Sequence, residues 1–102
     1  MTPQYVAISR FRVRNGMAAD VVDAFRSRPH SVDHAPGFVR MDVISPENDP
    51  AEFWLLTYWT DENSFREWHR SHEYRESHAG IPKGLKLDPT VTEVRAFKYV
   101  AS

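Results

Sequence analysis

Apolar and polar positions alternate from Tyr5 to Val13, where β-branched and aromatic residues are interleaved with Ser9, Arg10 and Arg12. That period of two predicts a strand with one face on a core. Asn15-Gly16 breaks the pattern. From Met17 to about Ala35 the spacing becomes helical, with Val21, Phe25, Arg28 and Val32 recurring at three- and four-residue steps. Pro29 lies inside this stretch, removes a backbone donor and crowds the preceding turn, so the helix should kink or split near Arg28. Pro36-Gly37 ends it. Phe38 to Ile44 and Glu52 to Trp59 read as a second and third strand, joined as a hairpin by the polar turn from Ser45 to Pro50.

Asp61 is the expected N-cap of a second helix, with Ser64 three residues on and Phe65 and Trp68 on its apolar side. Arg70-Ser71 should interrupt this helix before Tyr74 to Ala79 adds a further turn or two. Gly80-Ile81-Pro82-Lys83-Gly84 is a loop by composition, and Thr90 to Val100 is predicted as the last strand. The order β-α-β-β-α-β is the split arrangement of ferredoxin-like α+β folds with an antiparallel sheet, here in one domain spanning residues 1–102.

The third strand is apolar on both faces. Phe53, Leu55, Thr57 and Trp59 share one side, and Trp54, Leu56 and Tyr58 the other. One face can pack the helices; a chain of 102 residues has nothing left to cover the other. A second copy is the simplest cover, so a homodimer is expected.

Composition narrows the function classes. Aromatic residues make up 13% of the chain, far more than a disordered segment carries. A net charge of −1 argues against a nucleic-acid binder. The absence of Cys removes disulfides, thiolate metal sites and a Cys nucleophile. The longest uncharged apolar run, Phe53-Trp54-Leu55-Leu56, is far short of the ~20 residues of a membrane helix. With no basic-then-apolar leader pattern at Met1-Thr2-Pro3, the expected compartment is the cytoplasm.

Five histidines are the titratable candidates. His30 and His34, and His69 and His72, have spacings that can share a helix face, but neither pair has a third ligand nearby in sequence. They read as solvent-facing. His78 differs, because it stands beside Ala79-Gly80 at the start of a Gly/Pro loop, where small neighbours leave room for a flat ligand. A helical Trp such as Trp68 is ordinarily core, and Ser9 an ordinary buried hydroxyl. Arg28 is a lone charge on an apolar stripe, either snorkelling to solvent or meeting an anionic group at a pocket edge.

Several segments together resemble a known family. They are Val13-Arg14-Asn15-Gly16, Arg28-Pro29-His30 through Ala35-Pro36-Gly37-Phe38, Thr57-Tyr58-Trp59-Thr60-Asp61-Glu62, Ser64-Phe65-Arg66-Glu67-Trp68 and Ser77-His78-Ala79-Gly80. The chain is similar over nearly its whole length to the antibiotic biosynthesis monooxygenase (ABM) superfamily of dimeric α+β barrels, and within it to the IsdG-type haem-degrading monooxygenases. The resemblance implies a haem-degrading monooxygenase in which haem is both cofactor and substrate, consumed with O₂ and an external electron donor, with a reductase as a possible partner. It assigns His78 as the proximal ligand of the haem iron and Trp68 as the residue that packs against and distorts the macrocycle. It sets Arg28 near the pocket, beside which Phe25 is a candidate to hold a flat ring. Lys83 and Lys86 in the following loop could meet the propionates, though exposed loop lysines ordinarily do nothing specific. The family's first-strand Asn, which donates to the distal iron ligand, is Ser9 here, and a serine hydroxyl is shorter. That departure keeps two alternatives open. One is a cofactor-independent ABM-type monooxygenase acting on an aromatic or quinol-like small molecule, with His78 as acid or base. The other is a non-catalytic dimer that binds haem or a small ligand.

Overall fold

Tyr5–Arg12 (β1), Phe38–Ile44 (β2), Glu52–Trp59 (β3) and Glu93–Lys98 (β4) form one antiparallel sheet in the order β2-β3-β1-β4. Two helices, Ala18–Arg26 (α1) and Glu62–His69 (α2), complete the α+β, ferredoxin-like order. The computed structural model describes residues 2–28, 30–71 and 81–102. No helix among the described residues is long and apolar enough to cross a membrane.

Strand registers explain which side chains meet. Tyr5, Ala7, Ser9 and Phe11 of β1 stand opposite Trp59, Thr57, Leu55 and Phe53 of β3, so these eight share the face toward the helices. Two apolar clusters occupy the ends of that face. At one end, Tyr5, Val32 and the fully buried Trp59 pack with Phe38, Phe65 and Trp68; the Trp59 ring N–H donates to Thr57 Oγ1 at 2.9 Å. At the other, Val13, Val21 and Phe53 pack with Phe11, Phe25 and Leu85. Between them the sheet presents the small side chains of Ala7 and Ser9.

No helix among the described residues lies over the opposite face. Val6, Ile8 and Arg10 of β1 stand beside Tyr58, Leu56 and Trp54 of β3 and beside Phe97, Arg95 and Glu93 of β4. Three guanidinium groups lie over aromatic rings there: Arg10 over Trp54 at 5.5 Å, Arg40 over Tyr58 at 4.4 Å and Arg95 over Phe97 at 5.0 Å. Both faces of β3 are thus apolar in the folded chain, as its sequence suggests.

The stretch expected to be helical from Met17 to Ala35 is divided. α1 ends at Arg26, and a separate 3₁₀ turn runs Ser31–His34. Residues preceding a proline are pushed out of the helical region, which accounts for the early stop. Arg28 therefore lies beyond the helix and not on its apolar stripe. The strands β2 and β3 and the Asp61 cap fall where expected, and the Ser64 N–H donates to Asp61 Oδ1 at 2.7 Å. β1 gives up Val13 to an isolated bridge with Leu87. β4 is shorter than Thr90 to Val100 because the Asp88 carboxylate and carbonyl hold Thr90 and Thr92 in a turn. The expected helical turn from Tyr74 to Ala79 lies outside the described residues.

Candidate functional site

A cavity of about 390 Å³ opens where the two apolar clusters part. Its floor is Ala7, Ser9, Leu55 and Thr57, four neighbouring ladder positions of β1 and β3 with small or half-buried side chains. Phe11 and Phe25 close one end, their rings 6.3 Å apart and both within 6.2 Å of Phe53. Val32, Phe65 and Trp68 close the other end. Ile81, Pro82 and Leu85 from the loop before β4 add a further apolar wall. The result is a slot walled by rings and aliphatic groups, the kind of space that holds a flat apolar ligand.

Polar groups collect where the chain leaves α1. Arg28 and His30 both line the cavity and share one carboxylate. Arg28 Nη1 donates to Asp33 Oδ1 at 3.1 Å, and His30 Nδ1 lies 3.1 Å from Asp33 Oδ2. The Arg28 side chain is 20% exposed, with its guanidinium held on the Asp33 carboxylate. Partial burial pushes the Asp33 carboxyl up, but the hydrogen bonds from His30 and Arg28 outweigh it and hold the group below the usual carboxylate range. His30 has φ 60° and ψ 24°, a left-handed backbone that is uncommon outside glycine.

Four of the five residues singled out from the sequence, Ser9, Phe25, Arg28 and Trp68, line this one cavity. The fifth, His78, lies outside the described residues, as does His72. Two histidines that read as solvent-facing belong to the cavity rim instead: His30, and His69 of α2, whose ring packs on Phe65 at 5.5 Å. Both are exposed, so the sequence reading is right about water and incomplete about what else they face. The signal for His30 is Asp33 three residues on, a spacing at which two side chains meet in any helical turn. Lys83 and Lys86 belong to the loop before β4 and are not among the residues that line the cavity.

Residues 4–80 match the family model described as antibiotic biosynthesis monooxygenase. The chain belongs to the ABM family. A staphylobilin-producing haem oxygenase of Staphylococcus saprophyticus is 28% identical over 89 residues, covering 85% of each chain. Among solved structures, a haem degrader of Mycobacterium tuberculosis with two haems bound in its active site has a TM-score of 0.75 at 22% identity, covering 96% of this chain and 97% of that one. A cofactor-independent oxygenase of Streptomyces nogalater has a TM-score of 0.69 at 17% identity, covering 99% and 95%. These likenesses establish the ABM fold for this chain, and ABM proteins are monooxygenases as a family.

Proposed function

We propose that this ABM protein binds haem in the cavity between its sheet and helices and cleaves it oxidatively with O₂ and an external electron donor, releasing iron. The observation that carries this reading is the convergence of Ser9, Phe25, Arg28 and Trp68, from three separate parts of the chain, on one slot. The lining suits the group. Apolar and aromatic walls suit a macrocycle, and a guanidinium at one rim suits an anionic propionate. Haem, when bound, supplies the redox centre for oxygen chemistry and is itself the molecule oxidised.

The chain's own contributions are to bind, orient and exclude water. Phe11, Phe25 and Trp68 would hold the ring faces, and Arg28 would fix which edge points outward. Ser9 would face the ligand from the sheet, where a hydroxyl can donate one hydrogen bond. The family resemblance assigns the proximal iron ligand to His78. A second copy of the chain would cover the outer face of β3, as in the dimeric barrels the chain resembles. The expected compartment remains the cytoplasm.

Hemin added to the purified protein should give a shifted Soret band saturating at one haem per chain, and ascorbate under air should then bleach it. His78→Ala should abolish the shifted band. Absence of saturable hemin binding by the wild type would falsify this proposal. Haem that binds and survives several reductants would leave a carrier.

A second reading has its own support in the hydrogen-bonded His30–Asp33 pair at the rim and in the fold shared with a cofactor-independent oxygenase. In it the same slot takes an aromatic or quinol-like molecule and no cofactor.

A further inference from the structure

Three features coincide at His30. Its backbone is left-handed, a conformation that persists in a non-glycine residue only when its surroundings over-determine it. Here the surroundings are specific. The Asp33 N–H donates to the His30 carbonyl at 3.1 Å, and the Asp33 carboxylate holds the imidazole on one oxygen and Arg28 on the other. The ring also lines the rim of the cavity.

The carboxylate decides which nitrogen carries the proton. An ionised carboxylate only accepts, so His30 Nδ1 carries a proton, and in the neutral imidazole Nε2 is then the lone-pair nitrogen. We propose that His30, oriented by Asp33, is an acid–base residue of this cavity, taking the hydroxyl proton of a flat phenol or quinol lying in the slot while Arg28 stabilises the resulting oxyanion. In that step the ligand's O–H bond breaks, its electron pair stays on oxygen, and the proton adds to Nε2. The imidazolium so formed remains bonded to Asp33, and no electrons leave the ligand. The arrangement is the orienting half of a base–carboxylate pair, with geometry fixed before the ligand arrives.

The charged and titratable surroundings are compatible with this role. Arg28 and Asp33 flank His30 on its own segment, and His69 of α2 belongs to the same cavity lining; Arg10 of β1 also borders the cavity, but its guanidinium lies over Trp54 on the opposite face of the sheet. β2, which packs against the 3₁₀ turn, directs Arg40 and Asp42 to the other face of the sheet. The inference goes beyond haem degradation, resting only on the reading that this cavity is the ligand site, and it is separable from the haem proposal by experiment.

The probe is 2-naphthol, whose naphtholate absorbs at longer wavelength than the neutral form. A phenol of ordinary pKa ~10 is only about 1% ionised at pH 8. Bound to the wild-type protein at that pH, it should show at least about ten times that ionised fraction. His30→Asn keeps a residue that tolerates the left-handed backbone, and it should bind 2-naphthol in the neutral form alone. Asp33→Asn should lower the ionised fraction, and long-range ¹H–¹⁵N spectra should show the His30 proton leaving Nδ1. Circular dichroism of each variant checks that the fold is retained. The proposal is overturned by neutral bound naphthol in the wild type, by an ionised fraction unchanged in His30→Asn, or by no saturable naphthol binding. Hemin titration is read separately. A missing Soret shift with ionised naphthol defeats the haem reading alone, and the converse defeats this inference alone.

Discussion

Ser9 lies directly opposite Leu55 in the β1–β3 ladder, at the centre of the cavity floor. On its other side it stands beside Val94 of β4, so its ladder partners are both apolar. A polar side chain longer than serine at this position would reach further into the slot without losing a partner from the ladder. Ser9→Asn is therefore expected to keep the fold and to hasten hemin bleaching under ascorbate. The gain should be about 2- to 10-fold, the worth of one additional hydrogen bond of ~0.5–1.5 kcal/mol in the reaction. Single-wavelength kinetics at the Soret band measure it. An unchanged or slower rate would show that the serine is not what limits turnover.

Gly37 carries φ +79°, and a Cβ built there would run into the side chain of Ser64 and approach Thr60 Oγ1 at 2.8 Å. Its carbonyl also accepts from the Thr60 N–H at 2.8 Å, tying the start of β2 to the entry of α2. Gly37→Ala adds left-handed strain to a steric conflict. A loss of at least ~2 kcal/mol is expected, measured as a lower urea midpoint at unchanged slope. A midpoint within error of wild type would mean the turn can re-form around a methyl group.

The parts of the fold legible in the sequence are those set by local chemistry. The strands of Phe38 and Trp59 follow from runs of β-branched and aromatic residues bounded by Pro36-Gly37 and the polar turn from Ser45 to Pro50, and the Asp61 cap from a carboxylate placed three residues before a waiting N–H. Pro29 announces the break after α1, since its ring excludes helix before it. What was not legible depends on register. That Ala7 and Ser9 meet Leu55 and Thr57, leaving room for a ligand, is fixed by pairing across more than forty residues of chain. The left-handed turn that brings His30 to the rim is equally hidden, because side-chain spacing carries no sign of φ. His30 therefore passes for an ordinary exposed histidine until Asp33 is seen holding it.

The Asp61 cap also gives the protein an acid limit. The backbone N–H of Ser64 bonds the ionised carboxylate, and this holds Asp61 below its ordinary value. Hydrogen bonds from Arg12 and from Thr90 do the same for Asp49 and Asp88. A carboxyl depressed in the folded state binds fewer protons than in the unfolded chain, so its contribution is complete above the unfolded value of ~4 and is lost as pH falls through the folded value. The melting temperature should thus fall steeply below about pH 4. Asp61→Asn retains a side-chain oxygen for the cap and cannot ionise. It should melt near wild type at pH 7 and lose less on acidification. An identical acid slope in both proteins would remove Asp61 from the account.

The outer face of the sheet sets the last expectation. Leu56 sits at its centre, opposite Ile8 of β1 and Asp42 of β2, on the side that no helix among the described residues covers. Ile44 at the same face is 52% exposed, and three arginines place their guanidinium carbons over aromatic rings while Arg40 and Arg95 stay open to water. Guanidinium groups held over rings keep an apolar surface dispersed in the free chain yet remain able to stack against a second sheet. If a second copy covers this face, Leu56→Asp places an unpaired carboxylate inside the interface, which association cannot tolerate. In the separate chain the same carboxylate meets water, so folding should be little affected. Light scattering after size exclusion should give twice the 11.9 kDa chain mass for the wild type and the single-chain mass for Leu56→Asp, with matching far-ultraviolet circular dichroism. A wild type that elutes as one chain at micromolar concentration would leave the outer face to some other cover.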